Sequence, residues 1–280
     1  MAALNAGRTA RGVLSTTCFA PRRPRTRGIA CAVTKTALCV HGAGGGGWEF
    51  DLWRDPFTDK NWNCVAPDLQ PVADGGLAAT TLNDYIQQVR DWYDEHAPQV
   101  LIGASMGGAL AVLAACQLET PPPLVLVNSV IPRPWARCGR KEGPVPDVLR
   151  WKGSSLASTE RALPDSTVEV QRWACSQWRD EAGAVMRALQ PTTASAAGTM
   201  RSSRHPTWDA LPSARSPVLF IIGEDDRDCP SDAQLAWAEA WEAEARLYPS
   251  MSHVGPLLGT AAPAVASHVL DWLEAPSTLR

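Results

Sequence analysis

The 280-residue sequence predicts an α/β fold: a mainly parallel sheet of about six strands, flanked by helices and carrying a mainly helical insertion at 131–215. Two observations predict it. Short apolar runs alternate with longer stretches of helical period, the pattern of successive βαβ units. Several of those runs are continuous rather than alternating, as strands covered by helices on both faces require.

In chain order, strands are expected at 33–40, 62–66, 99–104, 123–128, 217–223 and 245–248. Val100-Leu101-Ile102, Leu124-Val125-Leu126-Val127 and Val218-Leu219-Phe220-Ile221-Ile222 should be central strands. Residues 81–96, 106–119, 232–244 and 261–274 read as helices, with Thr80 or Thr81, Ser231 and Thr260 as possible caps. Pro98, Pro121-Pro122-Pro123, Pro217 and Pro249 fall between elements, where a missing N–H does no harm. His96 to Leu118 contains no Asp, Glu, Lys or Arg, which by length alone admits a membrane helix. Gly103, Gly107 and Gly108 interrupt it, and Val100-Leu101-Ile102 favours a strand, so a buried strand, tight turn and buried helix are expected instead.

The insertion lacks clear strand runs, is rich in Pro, Arg and Ser, and contains Trp135, Trp151, Trp173, Trp178 and Trp208. About 85 residues is too long for a plain connection, so the segment should be a functional cap, helical around 144–152 and 166–190. Its tryptophans either line an apolar pocket or fix the cap to the body.

Residues 1–35 hold seven basic residues and no acid, so the rest of the chain carries 19 basic against 29 acidic residues. That balance argues against a nucleic-acid partner, which needs clustered cations. An Arg-, Ala-, Ser- and Thr-rich, acid-free start has the composition of an organelle transit peptide, the alternative being a basic tail without that role. Ile29-Ala30-Cys31-Ala32 resembles a stromal processing site, so 1–31 is expected to be a chloroplast leader, with the mitochondrion as the alternative destination. Eight cysteines, with no C-x-x-C pair, support neither a metal site nor a redox framework. Cys39 and Cys64, set among strand-like residues, should be buried.

Chemistry is concentrated in four places. Gly103-Ala104-Ser105-Met106-Gly107 lies between an expected strand and helix, the context of a nucleophile elbow. There a serine sits on a sharp turn, and Gly103 and Gly107 relieve the crowding two residues either side. The bare pattern would arise by chance in about one such chain in ten, so its neighbours decide its weight. His41-Gly42-Ala43-Gly44-Gly45-Gly46-Gly47-Trp48 follows the first strand as a glycine loop, without the Lys-Ser/Thr of a phosphate loop. Gly223-Glu224-Asp225-Asp226-Arg227-Asp228-Cys229-Pro230 and Pro249-Ser250-Met251-Ser252-His253-Val254 follow the last two strands. A serine, an aspartate and a histidine thus follow one another in that chain order, each after an expected strand.

Together these motifs resemble the α/β-hydrolase family over roughly 33–274, the cap excepted. The resemblance implies Ser105 as nucleophile, His253 as base and Asp226 as the acid that orients it, with Asp225 and Asp228 as alternatives. It implies an oxyanion hole from the backbone N–H groups of Ala43 and Met106, with Gly44 as second choice, and makes His41 structural. Gly44, Trp48 and Trp135 are candidates for the substrate pocket. No room exists for the first two strands of the family's usual eight, so the sheet should be truncated. The expected activity is a serine carboxylesterase acting on a small to medium apolar ester, needing no metal or organic cofactor. Thioesterase action remains open, as does carbon–carbon lyase chemistry like that of the hydroxynitrile lyases, relatives of the plant methylesterases that the glycine loop also resembles. The lyases require a cap cation, and Arg133, Arg137, Arg140, Lys141 and Lys152 offer no clear choice. A silent ligand-binding module is the non-enzymatic alternative.

Overall fold

A computed structural model describes residues 35–131, 144–189 and 216–275, all within one compact unit. Residues 1–34, Trp135, Trp208 and the cations Arg133, Arg137, Arg140 and Lys141 lie outside those residues, and with them the expected leader. In chain order the strands are β1 Lys35–Val40, β2 Trp62–Val65, β3 Val100–Ala104, β4 Leu124–Val127, β5 Val148–Leu149, β6 Glu181–Ala182, β7 Val218–Gly223 and β8 Glu244–Tyr248. The helices are α1 Asp51–Asp59, α2 Gly76–Ala79, α3 Leu82–His96, α4 Met106–Ala115, α5 Leu156–Ala162, α6 Val168–Gln177, α7 Gly183–Leu189, α8 Ser231–Ala240, α9 Gly255–Leu258 and α10 Ala262–Glu274.

Six strands form one sheet in the order β2-β1-β3-β4-β7-β8, every pair parallel. Each strand therefore delivers its following loop to the same edge, where ligand sites of open parallel sheets form. Parity along the strands divides the core. Ala37, Cys39, Val100, Ile102, Val125, Val127, Leu219 and Ile221 pack with α1 and α10. Leu38, Leu101, Leu126, Phe220 and Ile222 face the opposite side, where α4 and α8 lie. The continuous apolar runs are thus buried on both faces. All ten residues of α4 are buried, which accounts for the uncharged stretch that length alone would admit as a membrane helix. Among the described residues, no helix is long and apolar enough to cross a membrane.

Boundaries match the expected strands within about two residues, and Cys39 and Cys64 are buried, their sulfurs 3.3 Å apart. Thr81 caps α3 through a reciprocal box with Asp84. Ser231 and Thr260 do not cap: the N-cap residues of α8 and α10 are Pro230 and Ala261, neither with a side-chain bond. Helix α4 stops at Ala115, short of 119. Helix α1 was not expected; it holds Pro56 in its interior, and Trp53 and Phe57 one turn apart bury its inner face against the sheet.

The segment between β4 and β7 departs most from expectation. In place of a helix at 144–152 there is β5, paired antiparallel with β6, because Pro144 and Pro146 remove donors and hold the chain extended. In place of one helix over 166–190 there are α6 and α7 with an extended break at Trp178–Ala182. That break is fixed by polar bonds: Asp180 accepts from the N–H of Trp151 and of Lys152, and Arg179 N–H donates to Gly44 O at 2.8 Å. Helix α5 was also unexpected; Ser155 caps it.

Phe57 is fully buried and stacks on Trp53. Phe57→Ala should lower unfolding free energy by about 3–5 kcal/mol in urea titration, whereas a loss under about 1 kcal/mol would contradict this packing.

Candidate active site

Ser105 stands between β3 and α4 at φ 50° and ψ −117°, a backbone conformation that non-glycine residues rarely adopt. The turn is over-determined. Ser105 N–H donates to Val127 O on β4, and Ser105 O accepts from Gly108 and Val130 N–H at 3.1 and 3.0 Å. A Cβ at Gly107 would overlap Val40 O, and one at Gly103 would overlap the first turn of α4. The glycines therefore admit the strands and helix to close contact around the serine.

His253 lies in the loop between β8 and α9, with Nε2 2.9 Å from Ser105 Oγ and Nδ1 2.8 Å from Asp226 Oδ2. Asp226, after β7, is buried, and its other oxygen accepts the N–H groups of Asp228 and Cys229, each at 2.8 Å. Ser105, His253 and Asp226 thus form one continuous chain of hydrogen bonds. Asp225 does not join it, and Asp228 lines the adjoining cavity instead. Asp226, Cys229 and His253 also bring three possible metal-ligating atoms within 4.8 Å, although the carboxylate and ring are already engaged with each other.

Two residues that sequence reasoning missed hold the histidine loop. Asn128 donates to the carbonyls of Ser252 and His253 at 3.1 and 2.8 Å and accepts Gly223 N–H at 2.7 Å. Asp165 accepts the N–H and hydroxyl of Ser252. Asn128 carries one available signal, a polar residue ending an apolar strand run.

The glycine loop after β1 is fixed mainly by carboxyl groups. Gly42 N–H donates to Glu49 Oε2 at 2.9 Å, Gly44 N–H to Glu181 Oε2 at 3.0 Å, and Gly47 N–H to Asp68 Oδ1 at 2.8 Å. Gly45 N–H turns back to Gly42 O. Gly44, at φ 69°, is covered by Trp151 and is occupied by Glu181, so it is not free to serve as an oxyanion donor. Ala43 lines the same cavity as Ser105, and Met106 is the first residue of α4.

His41 is buried beside this loop. Its Nδ1–H donates to Gly42 O, and Nε2 accepts Leu69 N–H, an arrangement that needs the neutral ring. Burial pushes its pKa down to about 4. Glu49 is pushed the other way: burial raises its carboxyl to about 7 against the lowering pull of Gly42 N–H and His253, and Asp68 and Glu181 add to the rise. Burial, reinforced by Glu181, likewise raises the Tyr85 hydroxyl, which donates to Glu181 at 2.8 Å.

A cavity of about 320 Å³ opens at Ser105. Trp151, Trp178, Met186, Val254 and Leu257 give it apolar walls, with Glu49, Ser154, Ser158, Thr159 and Asp228 as polar points. Neither Gly44 nor Trp48 lines it. Trp48 backs the wall, edge-on to Trp173 and Trp178 with ring centres 5.3 and 5.2 Å away.

A profile of the alpha/beta hydrolase family matches residues 37–267, most of the chain. The chain belongs to the alpha/beta hydrolase family. No curated protein matches it in sequence. Among solved structures, it is similar to a pyrethroid hydrolase from Sphingobium faniae JZ-2, at 19% identity and TM-score 0.63, covering 87% of this chain and 99% of that one. A methylesterase from Arabidopsis matches at 13% identity and TM-score 0.59, covering 85% and 98%. The thioesterase domain from the curacin biosynthetic pathway matches at 18% identity and TM-score 0.60, covering 84% and 91%. At these identities the likeness is one of fold, and chemistry must be argued from the site.

The depressed His41 pKa makes a prediction about stability. Above about pH 6.5 the ring is neutral in both folded and unfolded chains; as pH falls toward 4, only the unfolded chain takes up the proton, and stability is lost. Between pH 7 and 5, wild type should therefore lose on the order of 2 kcal/mol more than His41→Asn in urea titrations. Parallel losses in both proteins would contradict a buried neutral His41.

Proposed function

We propose that this protein is a serine hydrolase of the carboxylesterase type, working through an acyl-enzyme on Ser105. The observation that carries the reading is the unbroken relay from Ser105 Oγ through His253 to buried Asp226. His253 removes the serine proton as Ser105 attacks the ester carbonyl, then returns a proton to the departing alcohol. Asp226 holds the ring with Nδ1–H toward itself and stabilises the imidazolium that forms. The backbone N–H groups of Ala43 and Met106 receive the negative charge that develops on the carbonyl oxygen, aided by the positive end of α4. Water then repeats the sequence on the acyl-enzyme and releases the acid.

A small to medium apolar ester suits the cavity, whose walls are two tryptophans and three aliphatic side chains or methionine around about 320 Å³. Its partner is thus a small molecule.

A fluorophosphonate should label wild type and leave Ser105→Ala unlabelled; a folded wild type that resists labelling would sink the reading. Assays of esters, thioesters and cyanohydrins with both proteins would rank the reactions, and Ser105-dependent turnover confined to cyanohydrins would favour lyase chemistry over hydrolysis. Asp226→Asn should lower kcat by about 10³- to 10⁴-fold with the fold intact, as loss of the orienting carboxylate does in such relays. Unchanged turnover would remove Asp226 from the mechanism.

A further inference from the structure

A second acid stands beside the relay and has no part in the mechanism above. Glu49 belongs to the 3₁₀ turn Gly47–Phe50, is only 4% exposed, and lines the cavity with Ser105 and His253. Its Oε2 accepts Gly42 N–H at 2.9 Å. Gly42 is in turn pressed against the nucleophile, since a Cβ placed there would meet Ser105 Cβ at 3.3 Å and Glu49 Oε2 at 3.6 Å. The absence of a side chain at Gly45 also makes room for the carboxyl, which a Cβ there would overlap. Gly45 is thus shaped around this acid, and Gly42 links it to the nucleophile.

We propose that Glu49 is a positioning residue that works as an uncharged carboxylic acid, holding the Gly42–Ala43 turn in register for attack by Ser105, and that its ionisation switches the site off. The inference rests on the serine acyl-transfer reading. Attack at the carbonyl builds negative charge at the Ala43 end of that turn, and a carboxylate in the same secluded space would repel it. A neutral acid keeps the hydrogen bond to Gly42 without that repulsion.

The surroundings favour the neutral form. The groups facing Glu49 are His253, Asp68 and Glu181, two of them acids, and the cation Arg179 is paired with Asp68 at 3.1 Å. Of the elements packed on the turn, α9 has no titratable group. On α1, Asp51 pairs outward with Arg54; on β1, Cys39 is buried against Cys64, and Lys35 approaches Glu274. No cation is therefore paired with Glu49 among the described residues. The carboxyl, raised to about 7 chiefly by burial, is neutral below that pH and charged above it. Activity should consequently fall on the alkaline side.

The test is the rate of fluorophosphonate reaction at Ser105 from pH 5 to 9.5, with a ¹³C NMR titration of the Glu49 carboxyl in wild type. Wild-type labelling should fall about tenfold or more between pH 7 and 9, following a carboxyl titration near 7. Glu49→Gln, which keeps an acceptor for Gly42 N–H but cannot ionise, should lose that alkaline fall. Glu49→Ala, which leaves the N–H without its acceptor, should label about tenfold more slowly throughout. An equal alkaline fall in wild type and Glu49→Gln, or a Glu49 carboxyl that titrates below pH 5, would overturn the proposal. Wild type that does not label at any pH would overturn the serine reading itself, and the proposal with it.

Discussion

The left-handed turn at Ser105 is the constraint on which the rest of the site depends. A serine held at φ 50° between a buried strand and a buried helix carries local strain that its own side chain does not relieve. The surrounding structure holds it there through Val127 O, the N–H groups of Gly108 and Val130, and the close approach of α4 to β1 and β3 that Gly103 and Gly107 allow. Because the sheet is parallel, the loops after β1, β3, β7 and β8 meet at that same edge. Reach and aim therefore come from the scaffold rather than from mobile side chains.

The loops around this turn are held largely by buried polar groups. Asn128 and Asp165 grip the backbone of the histidine loop, while Glu49, Glu181 and Asp68 grip the glycine loop. Glu181 and Arg179 come from the segment between β4 and β7 and bond the two sides of Gly44. That segment is consequently part of the framework of the glycine loop as well as of the cavity wall. Buried polar networks of this kind favour one geometry because each member left unpaired would be costly.

Much of this was legible in the sequence, for identifiable reasons. Continuous short runs such as Val218–Ile222, rich in β-branched and aromatic residues and set off by Pro217 and Gly223, read as strands buried on both faces and marked out the sheet. Gly103 and Gly107 were legible because a strained turn admits little else, and Asp226 and His253 because they stand in loops that follow strands, at positions that match the family's motifs. Helix α1 was hidden by Pro56, whose effect on the helix is outweighed by burial of Trp53 and Phe57. The region 144–189 defeated periodicity because its chain direction is set by long-range bonds from Asp180, Arg179 and Glu181, which no local pattern announces. Glu49 was invisible for a related reason. A glutamate after a glycine loop reads as solvated until the fold buries it.

The central claim is that Ser105 carries the acyl group. Stopped-flow mixing with an activated apolar ester, followed by acid quenching and peptide mass analysis, tests it most directly. The account predicts a burst approaching one equivalent of alcohol per chain, with the acyl group on the peptide containing Ser105. Turnover without a burst under conditions where deacylation is slow, or an acyl group on any other residue, would contradict it.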